Sequence, residues 1–175
     1  MRTALFALSL ALLLAGCSTR RTPAPSPPAP PVIITPVPGQ VMSPRLYVTS
    51  SSSSELFVLR AAELATQRAR DPALKAQARI ELAEHRGLSA QLSFAGRGLN
   101  LLPPRAMWNA HLARLAKLAA ASDFDMLYRQ QMIAEHRYQL KINRDYAQRG
   151  TSPTLRPVAR NAAQLLARHL AVLAR

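Results

Sequence analysis

The sequence predicts an all-α protein: four long amphipathic helices paired into two up-down hairpins, with a short extra helix between the second and third long ones. Three observations carry this. Apolar residues recur at three- and four-residue steps from residue 51 onward, and no stretch there reads as an alternating strand bounded by turns. In addition, one capped helix start occurs twice: Asp71-Pro72-Ala73-Leu74-Lys75 is echoed by Ser152-Pro153-Thr154-Leu155-Arg156, and Ala78-Arg79 by Ala159-Arg160. Gln67-Arg68 matches Gln148-Arg149 at the same offset, so each copy holds the end of one helix, a capped turn and the start of the next. That is a duplicated helical hairpin, although a chain rich in Ala, Arg and Leu inflates such matches.

Residues 1–16 read as a signal peptide, with Arg2, an apolar run from Ala4 to Leu14, and Leu14-Ala15-Gly16 ahead of Cys17. This is the lipobox of a bacterial lipoprotein, and it makes Cys17 the lipidation site: its thiol takes a diacylglyceryl group and its new amino group an acyl chain. The apolar run is too short to span a bilayer. Ser18 in place of an aspartate favours the outer membrane, with the domain facing the periplasm. Cys17 is the single cysteine, so no internal disulfide is available. Residues 17–50 read as a Pro/Ser-rich tether, because TPAPSPPAPPVIITPVPG cannot form a core and favours extended polyproline structure. At about 3.1 Å per residue its proline-bearing part, Ser18 to about Arg45, reaches up to roughly 90 Å.

Residues 51–175 are left for one bundle domain and one core. Ser52-x-x-Glu55 reads as a capping box starting a first helix that runs to about Arg70, with Leu56, Leu59, Glu63 and Thr66 as its stripe. The second helix is the clearest. Asp71 is an N-cap, Pro72 fits the first helical position, and a seam passes through Leu74, Ala78, Glu81, His85, Leu88, Leu92 and Ala95. Gly96 and Gly98 end it, and residues 100–104 turn. A short helix from Arg105 to Ala121 is expected to pack Trp108, Leu112, Leu115 and Leu118. The third long helix, Asp123 to Gln148, puts Met126, Ile133, His136, Leu140 and Ala147 on one seam. The fourth, Pro153 to Ala174, carries Leu155, Val158, Ala162, Leu165, His169 and Val172.

The net charge of +14 comes mainly from arginine, with Lys75, Lys117 and Lys141 the only lysines. There is no nucleic-acid docking motif and no interleaving of basic and aromatic residues, so nucleic acid is not the expected partner. An anionic envelope polymer, peptidoglycan or lipopolysaccharide, fits the charge and the tether better. Nucleophilic catalysis has no footing, because Cys17 is acylated and no serine of the domain sits on a strand-turn-helix elbow. The expectation is a non-enzymatic binding or structural module.

The segments DPALKAQARIELAEHRGLSAQL, Phe124-Asp125-x-x-Tyr128 with downstream Glu135-His136, and SPTLRPVARNAAQLLARHLAVL together resemble a bacterial envelope family of ferritin-like helical domains of unknown function. Its members are described as outer-membrane proteins or lipoproteins. The resemblance covers about Ser54 to Ala174. It implies a ferritin-like four-helix bundle and an exported location, and no established reaction.

The candidate polar or metal cluster is His85, His136 and His169 with Glu81, Glu84 and Glu135. A ferritin-type di-iron centre needs four carboxylates and two Glu-x-x-His pairs. Here the last helix has no carboxylate, and neither Glu81–His85 nor the adjacent Glu84–His85 and Glu135–His136 has that spacing. A mononuclear histidine site survives, since imidazoles suit zinc, copper or nickel. If both hairpin turns lie at one end, His85 and His136 are each about 21 Å from it and therefore level, with His169 about a turn away. The first expectation for these histidines is a polar core bonded to Glu81, Glu84 or Glu135, with no cofactor. The alternative is a metal- or stress-related protein holding a transition metal such as zinc or iron. His111 is expected to face solvent and Trp108 the core.

Overall fold

The structure, a computed structural model, describes residues 41–174; the signal peptide, Cys17 and most of the tether lie outside them. Five helices make up this part: α1 Pro44–Arg68, α2 Pro72–Gly98, α3 Asn109–Ala119, α4 Phe124–Arg149 and α5 Leu155–Leu173. There is no strand among the described residues.

Helix α1 starts earlier than the capping-box signature suggests. Pro44 occupies its first turn and the Ser43 hydroxyl caps it, accepting from Leu46 N–H at 3.2 Å. Ser52 and Glu55 are therefore interior helical residues, and the bundle begins at Pro44 rather than at residue 51. The serine run belongs to the bundle because it is where the segment leading into α3 lies against α1. Ser52 donates to the Pro104 carbonyl at 2.7 Å, and Ser53 accepts from Trp108 N–H at 2.8 Å. The buried stripe above it is Phe57, Val58, Ala61, Ala62 and Ala65, while Leu56, Leu59, Glu63 and Thr66 sit half-buried on its flanks. Alanines facing the partner let helices approach closely, so the small residues take the contact and the leucines seal its edges.

Helix α2 follows its expected seam, and all seven residues named on it are buried. Asp71 caps it by accepting from Ala73 N–H at 2.8 Å. Gly96 lies inside the helix, and Asn100 turns the chain out with φ 56°. Helices α3 and α4 are rotated relative to their apolar patterns, whereas α5 keeps Leu155, Ala162, Leu165 and His169 of its expected seam buried. On α3, Leu112 is 46% exposed and Trp108 half-buried, while His111 turns inward and stacks on Phe57 with centroids 5.2 Å apart. On α4, Met126 is exposed, and Ile133, Leu140 and Ala147 are only half-buried. Its inner face runs through Phe124, Tyr128, Met132, Glu135, Gln139, Ile142 and Tyr146, with His136 and Asn143 beside it. Half of the residues α4 buries are polar (Gln131, Glu135, His136, Gln139 and Asn143), so an apolar stripe points to the wrong side of the helix. On α5, Val172 is exposed and Leu173 buried.

The hairpins α1–α2 and α4–α5 pack so that the long helices follow one another around the bundle as α1, α2, α5, α4. Tyr47 near the start of α1 donates to Asn143 near the end of α4 at 2.8 Å and stacks on Tyr146 at 4.0 Å. At the other end the Asp125 carboxylate accepts from the backbone N–H groups of Arg70 and Asp71, and Arg129 donates to the Leu173 carbonyl. Neighbours are therefore antiparallel throughout, and the two hairpin turns lie at opposite ends of the bundle. The stretch containing α3 carries the chain back along its length. Asp71 and Ser152 keep their equivalence, since their carbonyls accept from Lys75 and Arg156 N–H respectively.

The interior is layered. One apolar cluster, including Phe57, Ala61, Leu74, Phe124, Tyr128 and Met132, fills the end near the α1–α2 turn. Others built on Tyr47, Leu92, Tyr146 and Leu155, and on Leu88, Leu165 and Leu166, fill the remainder. Between them lies a belt of buried histidines and glutamates.

Candidate metal centre

His85, His136 and His169 meet in that belt. They are 0%, 0% and 3% exposed, and one nitrogen from each lies within 4.8 Å of the other two. All three pairs of rings have centroids 5.3 Å apart. His85 and His136 are level as expected, but for another reason: each sits near the middle of its helix, so the count holds from either end. His169 shares that level instead of lying a turn away. Residues 151–154 are not helical, so its helical count starts at Leu155 rather than at Gly150.

The second nitrogen of each ring is tied to an oxygen. His85 Nδ1 pairs with Glu55 Oε2 at 2.8 Å, His136 Nδ1 with the Met132 carbonyl at 2.8 Å, and His169 Nε2 closely with Glu84 Oε2. A carbonyl or a carboxylate accepts, so these nitrogens donate, and each neutral ring is left with its lone pair on the other nitrogen. Those are His85 Nε2, His136 Nε2 and His169 Nδ1. His85 Nε2 is buried without a hydrogen-bond partner. His136 Nε2 and His169 Nδ1 face one another at 3.1 Å, a distance that one shared proton satisfies as a hydrogen bond and that a metal ion taking both lone pairs satisfies as well. Two imidazoles bound to one metal at tetrahedral angles, with bonds of about 2.0–2.1 Å, stand about 3.3 Å apart. Burial, reinforced by the neighbouring imidazoles, holds His136 down at about 3. Burial also lowers His169 against the pull of Glu84. In His85 burial is outweighed by Glu55, with help from Glu81 and Glu84, and its value is raised.

Of the expected carboxylates, Glu81 and Glu84 reach the belt and Glu135 turns away. Glu81 is fully buried. It accepts from Tyr128 O–H at 2.7 Å and from Gln77 at 3.5 Å, and its Oε1 lies 3.9 Å from His136 Nε2. Burial pushes its carboxyl up, against the pull of the Tyr128 hydrogen bond and of nearby His85. Glu135 instead meets Arg114 and His111, the latter at 3.4 Å, and His111 bonds Ser53 at 2.6 Å. Burial works upward on Glu135, but His111 and then Arg114 bring it down to about 2. His111, expected in solvent, is 6% exposed and fastens α3 to α1 and α4. Glu55 is the residue of the belt that the sequence reading placed elsewhere, in a helix cap. Glu55 and His85 lie at matching distances from the turn that joins α1 and α2, a count that would have found it had Glu55 not been assigned to a helix cap.

The fold and the site together define a helical-bundle protein with a buried three-histidine centre. The chain belongs to the family described as Domain of unknown function (DUF4142), which matches residues 36–174. No curated protein matches it in sequence. Among solved structures it is similar to "CopM in the Cu(II)-bound form", with TM-score 0.66 and 17% identity over 77% of this chain and 95% of that one. It is also similar to "CopM in the Cu(I)-bound form", with TM-score 0.65 and 16% identity over 76% and 94%. At these identities the likeness is one of fold.

Proposed function

We propose that this protein is a non-catalytic, lipid-anchored protein of the bacterial envelope that holds one transition-metal ion between His85, His136 and His169. The observation that carries the reading is the convergence of three imidazole nitrogens in a buried belt, with the second nitrogen of each ring engaged by an acceptor. Second-sphere acceptors of this kind fix ring orientation and raise ligand basicity in metal sites. Imidazoles suit copper and zinc, and the two copper-bound structures of similar fold put copper first. The single crossover between hairpins supports a ferritin-like relationship without a di-iron site. Elemental analysis of untagged protein, followed by copper and zinc titration, tests the reading. One ion per chain is expected, and it should be lost in His85→Ala and His136→Ala. Sub-stoichiometric metal at saturation would overturn it.

Anchoring at Cys17 is supported by the lipobox and predicts that Cys17→Ser moves the protein out of the membrane fraction; continued pelleting would refute it. A second reading, attachment to an anionic envelope polymer, is favoured by a groove between α4 and α5. Arg144, Arg156 and Arg160 line it over a floor of Ala147, Ala163 and Ala167. Salt-sensitive retention on purified cell-wall sacculi or lipopolysaccharide is expected. No retention at low salt would remove this reading.

A further inference from the structure

We propose that Glu81 is a fourth protein ligand, making a three-histidine, one-carboxylate site that favours divalent cations over monovalent copper. This rests on the metal-binding reading above and specifies which ion the site selects. Glu81 lies one turn before His85 on the same face of α2, and both are fully buried. Its Oε1 is 3.9 Å from His136 Nε2, the nitrogen whose lone pair faces the belt. Ligands sharing one metal at tetrahedral angles stand about 3.3 Å apart, so Oε1 has to close on His136 Nε2 by about 0.6 Å as the three histidine nitrogens, now within 4.8 Å of one another, draw in around the ion.

The two oxygens of Glu81 are held differently. Oε2 takes a strong bond from Tyr128 at 2.7 Å, while Oε1 has only the long 3.5 Å contact with Gln77. That is the disposition of a monodentate ligand: one oxygen oriented by a supporting hydroxyl, the other available. The charge is equally specific. No lysine or arginine among the described residues is within ion-pair distance of Glu81, so its ionised form needs another cation beside it, which a bound divalent ion supplies. Nor does another carboxylate take this place: Glu55 is engaged by His85 Nδ1, and Glu84 holds the far nitrogen of His169 at the partly exposed rim. Two buried carboxylates, Glu55 and Glu81, balance a divalent ion, whereas monovalent copper leaves one of them uncompensated. Carboxylate oxygen is also a poor ligand for the softer monovalent ion.

The test uses the full-length chain in detergent, stripped with chelator. Zn²⁺ and Cu²⁺ are titrated calorimetrically, and Cu⁺ is titrated anaerobically against a chromogenic chelator, in wild type, Glu81→Gln and His136→Ala. Glu81→Gln should weaken Zn²⁺ and Cu²⁺ by about 10–100-fold and leave Cu⁺ within about threefold. As a readout independent of the variant's folding, the Glu81 carboxyl ¹³C resonance of labelled wild type should shift on Zn²⁺ binding along with the three histidines. Equal losses for all three ions, no loss for any, or histidine shifts without a Glu81 shift would overturn the fourth-ligand proposal while leaving the histidine site standing. Failure of wild type to bind any of the ions would overturn the metal reading itself.

Discussion

Replacing Glu55 with alanine tests the belt where it is most exposed to error, in metal-free protein. Glu55 is 4% exposed and its carboxylate accepts from His85 Nδ1 at 2.8 Å. His85 Nε2 already lacks a partner, so the substitution leaves a fully buried ring with no hydrogen bond at either nitrogen. Orphaning one buried donor costs about 1–3 kcal/mol, and the vacated space adds to that. Relief from burying the carboxylate offsets part, leaving a net loss of about 2 kcal/mol. For a domain of this size each kcal/mol moves Tm by about 3–5 °C, so the midpoint should fall by about 8 °C. Glu55→Gln keeps a carbonyl acceptor and should lose no more than about 1 kcal/mol. Urea unfolding followed by far-UV circular dichroism in chelator provides the measurement. An alanine variant within about 0.5 kcal/mol of wild type, or a glutamine variant as damaged as the alanine one, would refute the Glu55–His85 contact.

Three further outcomes are expected. Glu135 is held at about 2 against an ordinary 4.5, so its contribution is fully present above about pH 4.5 and lost as pH falls toward 2. The wild-type advantage over Glu135→Gln in urea unfolding should accordingly be on the order of 3 kcal/mol at pH 6 and shrink on acidification; a pH-independent difference would count against the assignment. The glycines of α2 should behave oppositely on changing to alanine. A Cβ at Gly96 meets the Leu101 carbonyl oxygen at 2.3 Å, while one at Gly87 meets nothing within 4 Å. Thermal melts should show Gly96→Ala destabilised by about 1–3 kcal/mol and Gly87→Ala stabilised by about 0.5–1 kcal/mol. Finally, Zn²⁺ or Cu²⁺ at about 100 times Kd should stabilise the wild type by about 2.7 kcal/mol, reversibly with chelator, and leave His85→Ala unmoved in the same calorimetric scan.

The helix count, the two hairpins and the meeting of three histidines are legible in the sequence because hairpin turns carry local chemistry. Asp71-Pro72 and Ser152-Pro153 announce themselves, and although the turns lie at opposite ends and not at one, His85 and His136 stay level because each is near the middle of its helix. Helix rotation is legible only where the buried face is apolar. Helix α2 has such a seam, whereas α4 buries Gln131, Glu135, Gln139 and Asn143, and hydropathy turns it outward. The start of α1 was hidden by Ser50–Ser54, whose hydroxyls resemble linker chemistry until the segment before α3 is laid over them. That one boundary also concealed Glu55, since a residue placed in a cap is not sought in a core.

The ligand set draws on both hairpins: His85 comes from the first, and His136 and His169 from the second. An ion held by that candidate set would fasten together positions separated by roughly 50 residues of chain, including all of α3 and its flanking turns. By the chain-entropy estimate used for disulfides, closing such a loop removes about 4 kcal/mol of freedom from the unfolded ensemble. With a single cysteine, the chain has no internal disulfide to make the same connection. The bound metal would then serve as a removable rivet between two halves of a duplicated fold, one whose closure follows the supply of the ion.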